Sequence, residues 1–217
     1  MYKLCLLDLD GTLTDSKVGI LNSARYALGF CGVSVPDDST LNMFLGPPLR
    51  ESFRDFCKLN EATVEVAVTK YREYFANKGM FENRLYSGIA CALEKLHKNN
   101  IVMMIATSKA TIYAEKIIKH FEIEHYFDLI MGCEMDGRRS SKTEIIAAAL
   151  DGVQNVNRKH IVMVGDRKHD IIGARANEID SLGVTWGYGS IDELKSAGAT
   201  RIIANIDDLV SMILSGV

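Results

Sequence analysis

Short apolar runs alternate with helically spaced apolar positions along most of the chain. Residues 3–7 (KLCLL) form an apolar run that ends in acidic residues and glycine, the pattern of a buried strand. From Ser16 to about Gly32 the positions Leu21, Ala24, Leu28 and Cys31 recur at spacings of three and four. That stripe predicts a helix, with Ser16 as its expected N-cap. All three prolines (Pro36, Pro47 and Pro48) follow, and the Gly46-Pro47-Pro48 break predicts a short helix over 49–57. A long helix follows Asn60, with Val64, Val68, Tyr71 and Phe75 on one face and Gly79 as its stop.

After about residue 84 the texture changes. Helices are expected over 88–98, 110–121, 141–151 and 168–177, alternating with strands over 101–106, 128–131, 160–164 and 181–185. Ser190 with Glu193 reads as a capping box opening another helix. A short strand near 201–203 and a last helix near 206–214 complete the pattern. Such alternation implies βαβ units and a parallel α/β sheet, which the first strand joins. Residues 1–14 and 84–217 then form the core, and 15–83 an all-helical insert.

Composition narrows the function classes. The 217 residues are 47% hydrophobic and 24% charged, ordinary for a globular protein. A net charge of −3 offers no basic field for a nucleic acid backbone, so no nucleic-acid partner is expected. Asp8 and Asp10 break the first apolar run, which excludes a signal segment there. No apolar stretch approaches the length needed to span a bilayer, so no membrane partner is expected. The five cysteines stand singly, without a CxxC pair, which favours a reducing cytoplasmic location over a disulfide or zinc framework.

In open α/β sheets, ligands bind beyond the carboxyl ends of the strands. Asp8-Leu9-Asp10-Gly11-Thr12-Leu13 follows the first strand, Thr107-Ser108-Lys109 the next, and Gly165-Asp166-Arg167-Lys168-His169-Asp170 a third. Lys142 stands at the start of a helix. Asp8 and Asp10, two apart, would face the same way on a regular strand. Gathering them with Asp166 and Asp170 is costly without a cation. Hard oxygen ligands without His or Cys suit Mg²⁺, which leaves sites for water and phosphate. A carboxylate can attack phosphorus to give an aspartyl-phosphate, and a second Asp can serve as acid and base. Asp10-Gly11 also reads as a plain turn, Asp166 as a helix N-cap, and the Tyr71, Tyr74 and Phe75 stripe as packing rather than a base-stacking platform.

These residues carry a resemblance that spans essentially the whole chain. Asp8-Leu9-Asp10-Gly11-Thr12-Leu13, Thr107, Lys142 and Gly165-Asp166…Asp170 resemble motifs I to IV of the haloacid dehalogenase-like superfamily, in order. The helical insert is similar to that superfamily's C1-type cap. Gly46-Pro47-Pro48, Asp136-Gly137-Arg138 and Gly187-Tyr188-Gly189 resemble the phosphoglycolate phosphatase and 5′-nucleotidase-like group.

The resemblance implies a Rossmann-like core with a cap over the strand ends, and Mg²⁺-dependent hydrolysis of a small phosphate monoester. Asp8 becomes nucleophile and metal ligand; Asp10 becomes acid/base and binds Mg²⁺ through its carbonyl. Asp166 and Asp170 complete the metal site, Asp170 directly or through water. Thr107 and Lys142 contact the phosphoryl group, joined by Gly11 and Ser108. Gly46 and Arg50 become specificity residues in the cap, whose opening and closing would exclude water and select the leaving group. The partner is a small phosphorylated metabolite, and the expected state is monomer or homodimer. Arg167 stands where many relatives have Ser or Thr, and Ser108 where many have Asn. A sugar phosphomutase and a non-enzymatic phosphate sensor are the competing readings, while Asp10 argues against a dehalogenase.

Overall fold

The computed structural model describes residues 1–153 and 156–216. Its elements begin with β1 (Leu4–Leu7), β2 (Thr14–Asp15), α1 (Lys17–Phe30), α2 (Asp38–Asn42), α3 (Leu49–Glu51), α4 (Glu61–Asn77) and β3 (Arg84–Leu85). They continue with α5 (Ile89–Lys98), β4 (Val102–Ala110), α6 (Thr111–His120), β5 (Leu129–Cys133), α7 (Lys142–Asp151) and β6 (Ile161–Gly165). The chain closes with α8 (Lys168–Ala176), β7 (Asp180–Val184), α9 (Ile191–Ala197), β8 (Arg201–Ile203) and α10 (Ile206–Ser215). Two compact units result: Met1–Thr14 with Leu85–Val217, and Asp15–Arg84.

The first unit is built on a six-stranded sheet of order β5-β4-β1-β6-β7-β8, and every pairing in it is parallel. The α/β parallel sheet read from the alternating pattern is the observed one. β1 lies between β4 and β6, where the winding of the chain reverses, and such a point opens a crevice at the strands' carboxyl ends. All four β1 residues are buried, because both faces of the strand are covered. Leu4 and Leu6 pack with Ile145 and Ile146 of α7, Met163 of β6 and Ala174 of α8. Each fully buried leucine contributes about 1.5–3 kcal/mol, so the strand that presents Asp8 is firmly held.

β4 differs from its expected span. It runs to Ala110, and beyond Ala106 four steps along β4 answer two along β5. Thr107, Ser108 and Lys109 therefore lie in an irregular stretch of strand, where a bulge re-aims side chains.

In the second unit, Asn60 caps α4 by accepting from Thr63 N at 2.9 Å. Ser16 precedes α1 but makes no side-chain capping bond to it, contrary to expectation. The expected helix over 49–57 is split into α3 and a wider π-helical turn over Ser52–Phe56. Helix α2 went unread because five residues are too few to show a period; Asp37 caps it, accepting from Thr40 N at 2.8 Å. Tyr71 and Phe75 are buried and stacked on each other, 5.7 Å between centroids, as core packing requires. Among the described residues no helix is long and apolar enough to cross a membrane.

Candidate active site

Three loops, the irregular end of β4 and one helix start build the site, all in the first unit. Asp8 continues the parallel pairing one residue past β1, donating its N–H to Val164 O at 2.9 Å. The chain then turns sharply. Gly11 adopts φ +85°, a conformation that suits glycine, and donates to Thr14 O at 2.8 Å, while Thr14 N returns to Leu9 O at 2.9 Å. Leu9 and Leu13, both fully buried, anchor the turn. Asp10-Gly11 is thus both a turn and a way of leaving the sheet. The two carboxylates of this segment therefore part, instead of facing together as on a regular strand.

Lys142 is placed by its helix. Ser141 Oγ accepts from Glu144 N and Ser141 N donates to Glu144 Oε2, both at 3.2 Å, a capping box that starts α7 at Lys142. The Lys142 ammonium lies 2.8 Å from Asp8 Oδ1, 2.8 Å from Asp170 Oδ1 and 2.9 Å from Ala106 O. Its three protons thus have three partners.

Asp170 is the third residue of α8. Its Oδ2 accepts from Arg167 N at 3.1 Å, leaving Oδ1 for Lys142. Asp166 Oδ2 accepts from Tyr188 N at 2.7 Å, and Thr12 Oγ1 donates to Asp166 Oδ1 at 3.5 Å. Arg167, not Asp166, holds the N-cap position of α8. The expected capping box at Ser190 forms by half. Glu193 N donates to Ser190 Oγ, but the Glu193 carboxylate turns to Arg167 Nε and Lys168 N, each at 2.9 Å. The exposed N-terminus of α8 is the stronger attraction for an anion.

One oxygen each from Asp8, Asp166 and Asp170 lies within 4.8 Å of the others, and all three residues are buried. Burial pushes the Asp8 carboxyl up to about 6; Lys142 pulls it down and Asp170 pushes it up. Burial, then the charges of Asp170 and Asp8, hold the Asp166 carboxyl well above the usual carboxylate range. Burial would lower the Lys142 ammonium, but the Asp170 and Asp8 charges overcome it and hold it above its ordinary value.

Thr107 is buried, one residue beyond the carbonyl that Lys142 binds, and its Oγ accepts from Lys109 N at 3.3 Å. Ser108 is half-buried beside it. The Asp10 carboxylate stands outside the three-aspartate cluster, with Oδ2 paired to Lys109 Nζ at 2.9 Å. Gly46 and Arg50 belong to the second unit. Gly46 has φ +114°, and both terminal nitrogens of Arg50 are bound by the Glu65 carboxylate.

Two features escaped the sequence reading. Lys109 appeared only as the residue after Thr107-Ser108, yet it holds the second carboxylate of the first motif, Asp10, while Lys142 holds Asp8. The Gly187-Tyr188-Gly189 stretch carried only a family likeness and no site role, but Tyr188 N binds Asp166. A β-carbon at Gly187 would collide with the Gly11 carbonyl and the Asp166 side chain. The paired glycines were the available signal.

The donor set fits a divalent cation. Three buried carboxylates face one ammonium, and mutual repulsion in a dry site demands further positive charge. All ligand atoms are hard oxygens, which suits Mg²⁺.

Residues 5–184 match the family described as haloacid dehalogenase-like hydrolase. A 5′-nucleotidase of Pseudomonas aeruginosa is 40% identical over 205 residues, covering 94% of this chain and 92% of its own. A protein of Mycobacterium tuberculosis named tyrosine-protein kinase PtkA is also 40% identical, over 209 residues, covering 95% of this chain and 71% of its own. A crystal structure described as that of a predicted phosphatase from Clostridium acetobutylicum superposes with a TM-score of 0.94, at 44% identity and with 100% of both chains covered.

Proposed function

The chain belongs to the haloacid dehalogenase-like hydrolases, and on that premise we propose that it is a phosphatase hydrolysing small phosphate monoesters through an aspartyl-phosphate. The observation that carries the reading is the buried Asp8–Asp166–Asp170 cluster, tied to Lys142 where the winding of the sheet reverses. Asp8, Asp166 and Asp170, with the Asp10 carbonyl that the family resemblance adds, would hold Mg²⁺. When bound, the cation supplies positive charge that neutralises the phosphoryl oxygens.

The chain's own residues do the rest. Asp8 attacks phosphorus. Lys142, fixed on Asp8 Oδ1, keeps the nucleophile oriented and opposes the charge gathering on the phosphoryl group. Thr107 Oγ, Ser108 and the Gly11 amide bind phosphoryl oxygens. Asp10 protonates the departing ester oxygen, then takes a proton from the water that opens the acyl phosphate. Gly46 and Arg50, both of the second unit, are the proposed ester-selecting residues.

The substrate is a small phosphorylated metabolite of the 5′-nucleotide or phosphoglycolate kind, and the 5′-nucleotidase relative at 40% identity supports the former. No nucleic acid or membrane enters the reaction, and the enzyme acts as a monomer or homodimer. The location is cytoplasmic, where its five free cysteines stay reduced.

The test is phosphate release from 5′-nucleotides, phosphoglycolate and sugar phosphates, with and without Mg²⁺. Mg²⁺-dependent release is expected. Isomerised sugar phosphate in place of free phosphate would make the protein a mutase. Phosphate delivered to a protein tyrosine would align it with the relative named a kinase. Phosphate binding without turnover would make it a sensor.

A further inference from the structure

We infer that Lys109 is a positioning residue that fixes the rotation of the Asp10 carboxyl group, and so which of its oxygens meets the substrate. The inference rests on the phosphatase reading above. Lys109 Nζ holds Asp10 Oδ2 at 2.9 Å, and the lysine side chain is only 7% exposed. Asp10 Oδ1 is buried and has no hydrogen-bond partner among the described residues. With Oδ2 held by the ammonium, Oδ1 is the oxygen left to meet the leaving group. The lysine therefore fixes the rotation of the carboxyl group.

The backbone explains why this lysine reaches Asp10. Lys109 lies in the irregular stretch of β4 between Ala106 and Ala110, its N–H tied to Thr107 Oγ at 3.3 Å. Its carbonyl packs directly on Gly132 of β5, where a β-carbon would collide with it. Thr111 Oγ1 fastens the neighbouring strand by accepting from Gly132 N at 3.0 Å. A regular strand would alternate its side chains and aim position 109 by the pleat alone. The bulge and the missing β-carbon replace that aim with a fixed one.

The bond from an Asp8 oxygen to phosphorus forms as the bond from phosphorus to the ester oxygen breaks. That oxygen leaves with the proton from Asp10 Oδ1, and Asp10 becomes a carboxylate held by Lys109. In the second step water gives a proton to Oδ1 as it displaces Asp8 from phosphorus.

Proton donation matters most when the leaving group is basic. The experiment compares kcat/KM for p-nitrophenyl phosphate, whose leaving group departs unassisted, with that for an alkyl phosphate such as glycerol 2-phosphate, in K109M and K109Q. K109M is expected to lower kcat/KM for the alkyl ester at least about tenfold more than for the nitrophenyl ester, within the range ascribed to acid catalysis. K109Q, whose amide still donates, is expected to show a smaller gap. Equal losses on both esters, or a loss confined to KM, would overturn the inference and make Lys109 a structural or substrate-binding residue. If K109M does not fold, the K109Q comparison decides by the same ratio. Wild-type protein with Mg²⁺ and the D8N variant run alongside. A wild type that releases nothing defeats the phosphatase reading itself, and this inference with it. An active wild type with equal losses in the variants defeats the inference alone.

Discussion

Lys142 Nζ lies 2.8 Å from Asp8 Oδ1, with the two side chains only 3% and 11% exposed. The same ammonium is 2.8 Å from Asp170 Oδ1, so one cation serves two buried anions that follow the neighbouring strands β1 and β6. Charge and geometry are shared here: whatever displaces the lysine also frees the nucleophile.

K142M is therefore expected to lose turnover by more than about a hundredfold, the scale of losing one preorganised electrostatic group. Removing one partner of a buried ion pair costs about 3–5 kcal/mol, so the metal-free variant should also unfold at lower urea. Urea titration with a chelator present, beside phosphate release, checks both. An unchanged midpoint would mean that the carboxylates relax by taking up protons.

The same charges set a pH dependence. Burial raises the folded Asp8 carboxyl from 3.8 to about 6, and Asp166 shifts in the same direction. Between those values the folded state binds more protons than the unfolded one, so stability of the metal-free protein falls as pH rises through the window. Melting temperature with a chelator should therefore drop from pH 4 towards about pH 6 over this part of the titration. Added Mg²⁺ should raise it more at pH 7.5 than at pH 5. A Mg²⁺ shift independent of pH would show that the cation does not meet these carboxylates.

Asp166 separates metal binding from folding. It is fully buried and accepts from Tyr188 N, a bond that an amide oxygen also accepts. D166N should keep or raise the metal-free melting temperature while losing the Mg²⁺-induced rise and most of the activity. A Mg²⁺ shift equal to that of the wild type would remove Asp166 from the metal site.

Gly187 tests the loop that binds Asp166. A β-carbon there meets the Gly11 carbonyl, backbone that cannot swing aside as a side chain can. G187A is expected to weaken Mg²⁺ at least about tenfold, as loss of the shell supporting a ligand does. Titration of activity against Mg²⁺ reads this directly, and an unchanged half-saturating concentration would count against the loop's role.

Arg50 asks what the second unit reads. Its pairing with Glu65 is exposed, and such pairs contribute about 0–1 kcal/mol, so R50A should fold normally. It should shift the ranking of substrates while sparing the rate on p-nitrophenyl phosphate. An unaltered ranking would reduce Arg50 to a surface ion pair.

The sequence by itself determined the alternation that makes a parallel sheet and the order of the motifs at its strand ends. Those signals are local: apolar runs of strand length, helical spacing, and acidic or hydroxyl residues where an apolar run stops. It did not determine where the carboxylates would point. Asp8 and Asp10, two apart, part company because Gly11 turns the chain out of the sheet, and the turn closes on Leu9 and Thr14. Nor could spacing choose between Lys142 and Lys109. Each serves one carboxylate of the same motif, and the assignment depends on a capping box on one and a bulge packed on Gly132 under the other. Such choices rest on contacts between residues far apart in the chain, which only the packed sheet brings together. The chemistry was written in residue types, and the tertiary structure decided which atoms face one another.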